Sequence, residues 1–134
     1  MSCWKQCASA ITNVDITTLE KAAKKMGLGL DQNAKNVATS YGTWERNSAN
    51  VDGAFTKNGL KIQLGYILKG TTGKLEIVGD FWGTALDSES FMGQLGQIYR
   101  EIEIQTQAEL MGYTVDTIVT NAQGDTEIEI YQWA

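Results

Sequence analysis

The sequence predicts an α+β fold: an antiparallel sheet, a meander with a central hairpin, with one short and one long helix packed on one face. Two observations carry this prediction. Apolar residues recur with helical spacing over residues 16–26 and 88–111, and they alternate with polar residues on both sides of Asn58–Gly59. Because 134 residues is close to the commonest domain size, we expect one domain spanning residues 1–134.

The first part of the chain predicts a weak strand and a short helix. Residues 3–11 would place Cys3, Cys7 and Ile11 on one face of a strand. Asp15 is the predicted N-cap of a helix over residues 16–26. The apolar stripe of that helix is formed by Leu19, Ala22, Ala23 and Met26, and Gly27 follows it.

Residues 28–49 are polar and thinly patterned, with "VATSYGTW" as their one strand-like run. "VDGAFTK" and "LKIQLGYILK" then flank Asn58–Gly59, the pair that best tolerates the positive φ angles of a type I′ hairpin turn. One face of the second strand is therefore expected to be buried, and its residues are Leu60, Ile62, Leu64, Tyr66 and Leu68. After the turn "GTTG", "KLEIVGDFW" predicts the third strand of the meander.

A long helix over about 88–111 is predicted next, capped by Asp87 or Ser88. Its main apolar stripe is Phe91, Leu95, Ile98 and Ile102. Ile104, Ala108 and Met111 lie away from that stripe, so either another element covers them or they form a second apolar seam. The strands "YTVDTIVT" and "TEIEIYQWA" close the chain. The order helix, Met-Gly, strand occurs in both "KKMGLGL" and "ELMGYTV", which suggests a faint internal repeat.

Aromatic side chains supply the candidate binding surface. Phe81 and Trp82 are neighbours, so on a strand they point to opposite faces, and we expect Phe81 to enter the core beneath the long helix. Trp82 would then lie on the second face, near Tyr131 and Trp133 of the last strand. Three alternatives stay open for that face: cover by residues 28–49 with Tyr41 and Trp44, docking of a partner or second copy, or a pocket for a flat small molecule. The candidate surface residues are Trp82, Tyr131, Trp133, Ile104 and Met111.

Composition excludes several function classes. The chain has no histidine, so it lacks a Ser-His or Cys-His pair and any histidine metal ligand. A net charge of −5 argues against binding nucleic acid, and no apolar run approaches the roughly 18 residues that cross a bilayer. The N-terminus does not resemble a signal peptide, so we expect a cytoplasmic location.

Local groups of charged or sulfur-bearing residues also have structural explanations. Lys21, Lys24 and Lys25 have the spacing of a solvated helix face. Cys3 and Cys7 lie about 13 Å apart on a strand, too far for a disulfide, and would supply only half of a zinc site on a helix. The acidic residues of the last strand are expected to protect its edge. We therefore expect no metal, no cofactor and no catalytic residues.

Five segments resemble a small family of plastid and cyanobacterial proteins first described as a hypothetical chloroplast reading frame. They are the opening Met1-Ser2, "FTKNGLKIQLGY", "LEIVGDFWG", "IYREIEIQTQAELMGYTV" and "IEIYQW". The resemblance spans nearly the whole chain and is best over about 51–133. The family's D-W-W-G is matched by Asp80-Phe81-Trp82-Gly83, whereas Cys3 stands where the family has histidine. The resemblance implies an accessory protein of the cytoplasm or plastid stroma, and the family has no agreed enzyme activity that could be transferred to this chain.

The sequence thus predicts a non-catalytic accessory or adaptor protein that acts through protein–protein contacts, with a protein partner or a second copy of itself. The alternative is a small-molecule-binding or sequestering protein with an aromatic pocket, and a carboxylate-dependent enzyme comes third. A closed cavity lined by Phe81, Trp82, Tyr99 or Tyr131 would favour the second function. An exposed aromatic patch would favour the first.

Overall fold

The computed structural model describes residues 4–38, 47–120 and 126–132. It has the mixed α+β architecture and the antiparallel sheet that the sequence predicts. In chain order the elements are β1 (Trp4–Ala8), α1 (Ile16–Lys25), β2 (Gly29–Asp31), β3 (Asn36–Ala38), β4 (Ser48–Asn50), β5 (Gly53–Lys57), β6 (Leu60–Lys69), β7 (Lys74–Asp80), a short 3₁₀ helix (Phe81–Thr84), α2 (Ser88–Leu110), β8 (Tyr113–Thr120) and β9 (Thr126–Gln132).

The main sheet has five strands in the order β1-β7-β6-β5-β2, and every neighbouring pair is antiparallel. β5, β6 and β7 form the predicted meander. Asn58 and Gly59 join β5 to β6 with φ angles of 54° and 79°, which confirms the tight turn of the central hairpin. Asp15 and Asp87 are the observed N-caps of α1 and α2.

One face of the sheet packs against both helices, as predicted. The Phe91 ring of α2 makes edge-to-face contacts with Phe55 of β5 and Phe81, at centroid distances of 5.6 Å and 5.5 Å. Leu64 and Tyr66 of β6 also enter this core. The helices contribute Leu19, Ala22, Ala23, Phe91, Leu95, Tyr99 and Ile102.

The second face of the sheet is covered by the β3–β4 hairpin. Val37 of β3 is buried against Val51, Ala54 and Val78. β3 and β4 of the chain itself therefore provide a cover, together with Ala34 and Val51, and such a cover was one of the alternatives left open by the sequence. Tyr41 and Trp44, the aromatic partners expected there, lie outside the described residues.

β8 and β9 depart from the expected single sheet, because they pair with each other in a separate two-stranded sheet. Alternation of polar and apolar residues indicates a strand but does not specify its pairing partner. β4 was not predicted, since three residues are too few to show a period, and β2 was indicated only by the Met-Gly repeat. β1 is shorter than the predicted 3–11, and Cys3 lies outside the described residues.

The Met-Gly repeat corresponds to a shared way of ending a helix. Met26 and Met111 are the C-caps of α1 and α2, and the glycine after each has a φ angle near +80°. The similarity stops there, because β2 pairs with β5 whereas β8 pairs with β9.

The substitution Gly59→Val is expected to destabilise the hairpin by about 1 kcal/mol or more, because it forces a β-branched residue to a positive φ angle. The site itself has room, since no atom lies within 4 Å of an added Cβ. Thermal unfolding measures the effect, with Gly59→Asn as the control that tolerates this conformation. Equal midpoints for the valine variant and the wild type would contradict the turn assignment.

The substitution Gly79→Ala is expected to cost roughly 2–5 kcal/mol. Gly79 has a φ angle of 138°, and an added Cβ would collide with the backbone carbonyl oxygen of Gln63 and lie 2.9 Å from the Cα of Leu64. Gly96→Ala is the matched control, because Gly96 lies within α2 with open space around it. Denaturant unfolding should show a large loss for the first variant and none for the second.

Candidate functional site

Trp82 is held at the surface by the 3₁₀ helix that follows β7. The Phe81 side chain is 0% exposed, whereas that of Trp82 is 62% exposed. The sequence correctly predicted that the two rings diverge, but the reason differs from the one expected. β7 ends at Asp80, and in a 3₁₀ helix successive side chains are rotated by about 120°.

Hydrogen bonds fix this short helix at both ends. The buried Asp80 carboxylate accepts from the Trp82 backbone N–H at 2.9 Å. The Thr84 hydroxyl donates to the Phe81 carbonyl at 2.7 Å, and the Ala85 N–H donates to the Trp82 carbonyl at 3.2 Å. The Trp82 backbone is thus ordered before any partner arrives.

Apolar side chains of β6 lie beside this helix. An added Cβ on Gly83 would lie 3.3 Å from the Ile62 Cβ, so the backbone after Trp82 packs directly on Ile62. Leu60, two residues earlier on β6, is 72% exposed. We call Leu60, Ile62 and Trp82 the Trp82 surface. Leu60 was expected in the core, but it follows the hairpin turn at the very start of β6, at the end of the sheet.

A second apolar region lies at the C-terminal end of α2. Leu110 and Met111 are 77% and 69% exposed, and Ile104 is half-buried. We call Ile104, Leu110 and Met111 the α2 C-terminal surface. Ala108, on the predicted second seam, is buried, and β8 lies against α2. The seam is therefore covered in part and exposed at its end.

The candidate surface residues do not form one common face in the structure. Trp82 precedes the N-terminus of α2, and Met111 ends this helix, whose 23 residues span about 35 Å. Tyr131 lies in β9 opposite Thr114, in the two-stranded sheet, so the expectation that it shares a sheet with Trp82 is wrong. Trp133 lies outside the described residues.

Titratable groups with shifted pKa values have structural explanations. Burial raises the pKa of the Tyr66 and Tyr99 phenols, and the Tyr99 oxygen accepts the Asp15 N–H at 2.9 Å. Hydrogen bonds from Ser90 lower the pKa of the Asp87 carboxyl, which caps α2. None of these shifts produces a proton donor or acceptor poised near neutral pH. Among the described residues, no group of three acidic or cysteine side chains could hold a metal ion.

The described grooves are open to solvent. One of about 300 Å³ is lined by Tyr99, Arg100 and Glu103 together with residues 10–13. Another of about 430 Å³ separates residues 8–11 from α2, and a third of about 500 Å³ lies between α1 and α2. Of these three grooves, only the first is lined by an aromatic side chain, that of Tyr99. No helix in the described part of the chain is long and apolar enough to span a membrane.

Comparisons with protein-family models, with curated proteins and with solved structures find no match. The resemblance to the plastid and cyanobacterial family stays a prediction. The candidate site therefore rests on the geometry of the chain itself.

Proposed function

We propose that this protein is a non-catalytic accessory or adaptor protein that binds another protein through the Trp82 surface. The observation that carries the proposal is the exposure of a large aromatic ring on an ordered backbone. Tryptophan, together with tyrosine and arginine, is enriched among the residues that contribute most of the binding energy at protein interfaces. Because hydrogen bonds already order the 3₁₀ helix, a partner that covers Trp82 has little backbone entropy to remove.

The flanking residues favour a protein partner over a small ligand. Ile62 of β6 packs against Gly83, the residue after Trp82, and Leu60 is exposed two residues earlier on the same strand, so apolar side chains continue along β6. Phe81, one of the rings expected to line a ligand pocket, is instead packed against Phe91, which also contacts Phe55. This packing makes an aromatic pocket for a small molecule the weaker candidate.

The cellular setting follows from the same proposal and from the sequence. An adaptor of this kind would work in the cytoplasm or, as the family resemblance implies, in the stroma of a plastid. A second copy of the chain is the other possible occupant of the Trp82 surface. It would appear as a mass that increases with concentration in light scattering.

Replacing the two neighbouring aromatics should have opposite effects. Phe81→Ala is expected to lower the free energy of unfolding by about 3–5 kcal/mol, because it removes a fully buried ring that contacts Phe91. Trp82→Ala should change it by no more than about 0.5 kcal/mol, since the ring is mostly in solvent. Denaturant unfolding measures both. Equal losses would mean that Trp82 is a core residue and would remove the basis of the proposed surface.

Partner binding is tested with tagged wild-type protein, Trp82→Ala and the control Trp82→Phe, purified from cells that make the protein. Proteins that co-purify are identified by mass spectrometry, produced separately and recombined with each variant. We expect a stoichiometric complex with the wild type, its loss in Trp82→Ala, and substantial retention in Trp82→Phe, which keeps a flat apolar ring. A complex that forms equally well with all three variants would exclude the Trp82 surface as the docking site.

A further inference from the structure

A groove of about 500 Å³ lies between the C-terminal parts of α1 and α2. Its residues are Lys21, Lys24, Lys25, Ile102, Gln105, Thr106 and Glu109. Three cations therefore face one carboxylate. That carboxylate, Glu109, accepts a hydrogen bond from the side-chain amide of Gln105 at 3.4 Å.

The three lysines have no partner among the described residues. Within residues 4–38, 47–120 and 126–132, none of their ammonium groups forms an ion pair or a hydrogen bond, in contrast to Lys69, which pairs with Glu76. Lys24 and Lys25 lie in the last turn of α1, where they interact favourably with its C-terminal carbonyls. Lys21 lies about one turn earlier, where this interaction has faded.

The surrounding charge makes the cluster stand out. The chain carries 16 acidic and 11 basic residues, yet three of the basic residues surround this single groove. The surface is therefore complementary to a ligand with several carboxylates. Its extent is too small, and the overall charge too negative, for the run of phosphate contacts that nucleic-acid binding needs.

Apolar side chains accompany the lysines. Ile102 lies at the groove, and Leu110, which belongs to the α2 C-terminal surface, is the residue after Glu109. Leu110 and Met111 present large exposed side chains at this end of α2. A ligand that combines carboxylates with a large apolar side chain would thus contact both kinds of surface.

We propose that this groove binds an acidic peptide segment of a partner protein, with apolar side chains that pack on Leu110 and Met111. The proposal rests on the adaptor function proposed above and specifies the chemistry of a partner. Carboxylates of the segment would pair with Lys21, Lys24 and Lys25. Binding would weaken as salt rises, because exposed ion pairs are screened.

The test is fluorescence anisotropy with a fluorescein-labelled peptide, Gly-Asp-Glu-Leu-Glu-Asp-Leu-Gly. Two companion peptides replace its acids by amides or its leucines by serine. The triple variant Lys21→Gln, Lys24→Gln and Lys25→Gln keeps good helix formers in α1. Its matched control, Lys5→Gln, Lys57→Gln and Lys74→Gln, makes the same change in net charge at exposed positions away from the groove.

We expect the groove variant to bind the acidic peptide at least about tenfold more weakly than the wild type, and the control to stay within about twofold. The three single variants, each retaining two groove lysines, should show intermediate losses. Leu110→Ala with Met111→Ala should weaken binding of the leucine peptide but not of the serine peptide. Equal losses in the groove and control variants, absence of binding by the wild type, or preference for a single-stranded oligonucleotide would overturn the proposal.

The two proposals can fail independently. If a partner binds the groove variant normally but does not bind Trp82→Ala, the adaptor function is supported and the groove is excluded as a binding site. Conversely, if the groove variant no longer binds the peptide while Trp82→Ala still binds every partner, the Trp82 surface is excluded as a docking site and the groove is supported.

Discussion

The edge-to-face contacts of Phe91 connect the parts of this fold that determine its surfaces. The ring joins the first turn of α2 to Phe55 in the central hairpin and to Phe81 after β7. Tyr66 extends the contacts, with its ring 6.3 Å from Phe55. Because Phe81 is held inward, the 3₁₀ helix that it begins must turn its next side chain outward. The exposure of Trp82 is therefore a consequence of core packing.

Both faces of the main sheet are occupied, and this restricts where a partner can bind. α1 and α2 cover one face, and the β3–β4 hairpin covers the other through Val37. Large exposed apolar side chains remain at the ends of elements: Leu60 at the start of β6, Trp82 after β7, and Met111 at the end of α2. A partner would accordingly contact the margins of the described fold and not a sheet face.

The fold could be predicted where one local signal determined it. Asn58–Gly59 specified its turn through backbone sterics, and Asp15 and Asp87 specified helix starts through hydrogen bonds to nearby N–H groups. The separation of the β8–β9 pair from the main sheet could not be predicted, since strand partners depend on contacts across the whole chain. For the candidate site, the divergence of Phe81 and Trp82 was predictable, but the 3₁₀ geometry and the exposure of Leu60 and Leu110 depend on tertiary packing. The grouping of three lysines with Gln105 and Thr106 required the packing of α1 on α2.

The distance between the Trp82 surface and the lysine groove constrains any partner that binds at both. They flank opposite ends of α2, which is about 35 Å long, a distance covered by about ten fully extended residues. A short acidic peptide in the lysine groove therefore would not reach Trp82. Engagement of both surfaces needs a folded partner or two linked segments, and linked contacts raise affinity through effective concentration without any new contact. An adaptor with two such sites would bind a partner weakly at each site and still select a partner whose two binding segments have the matching spacing.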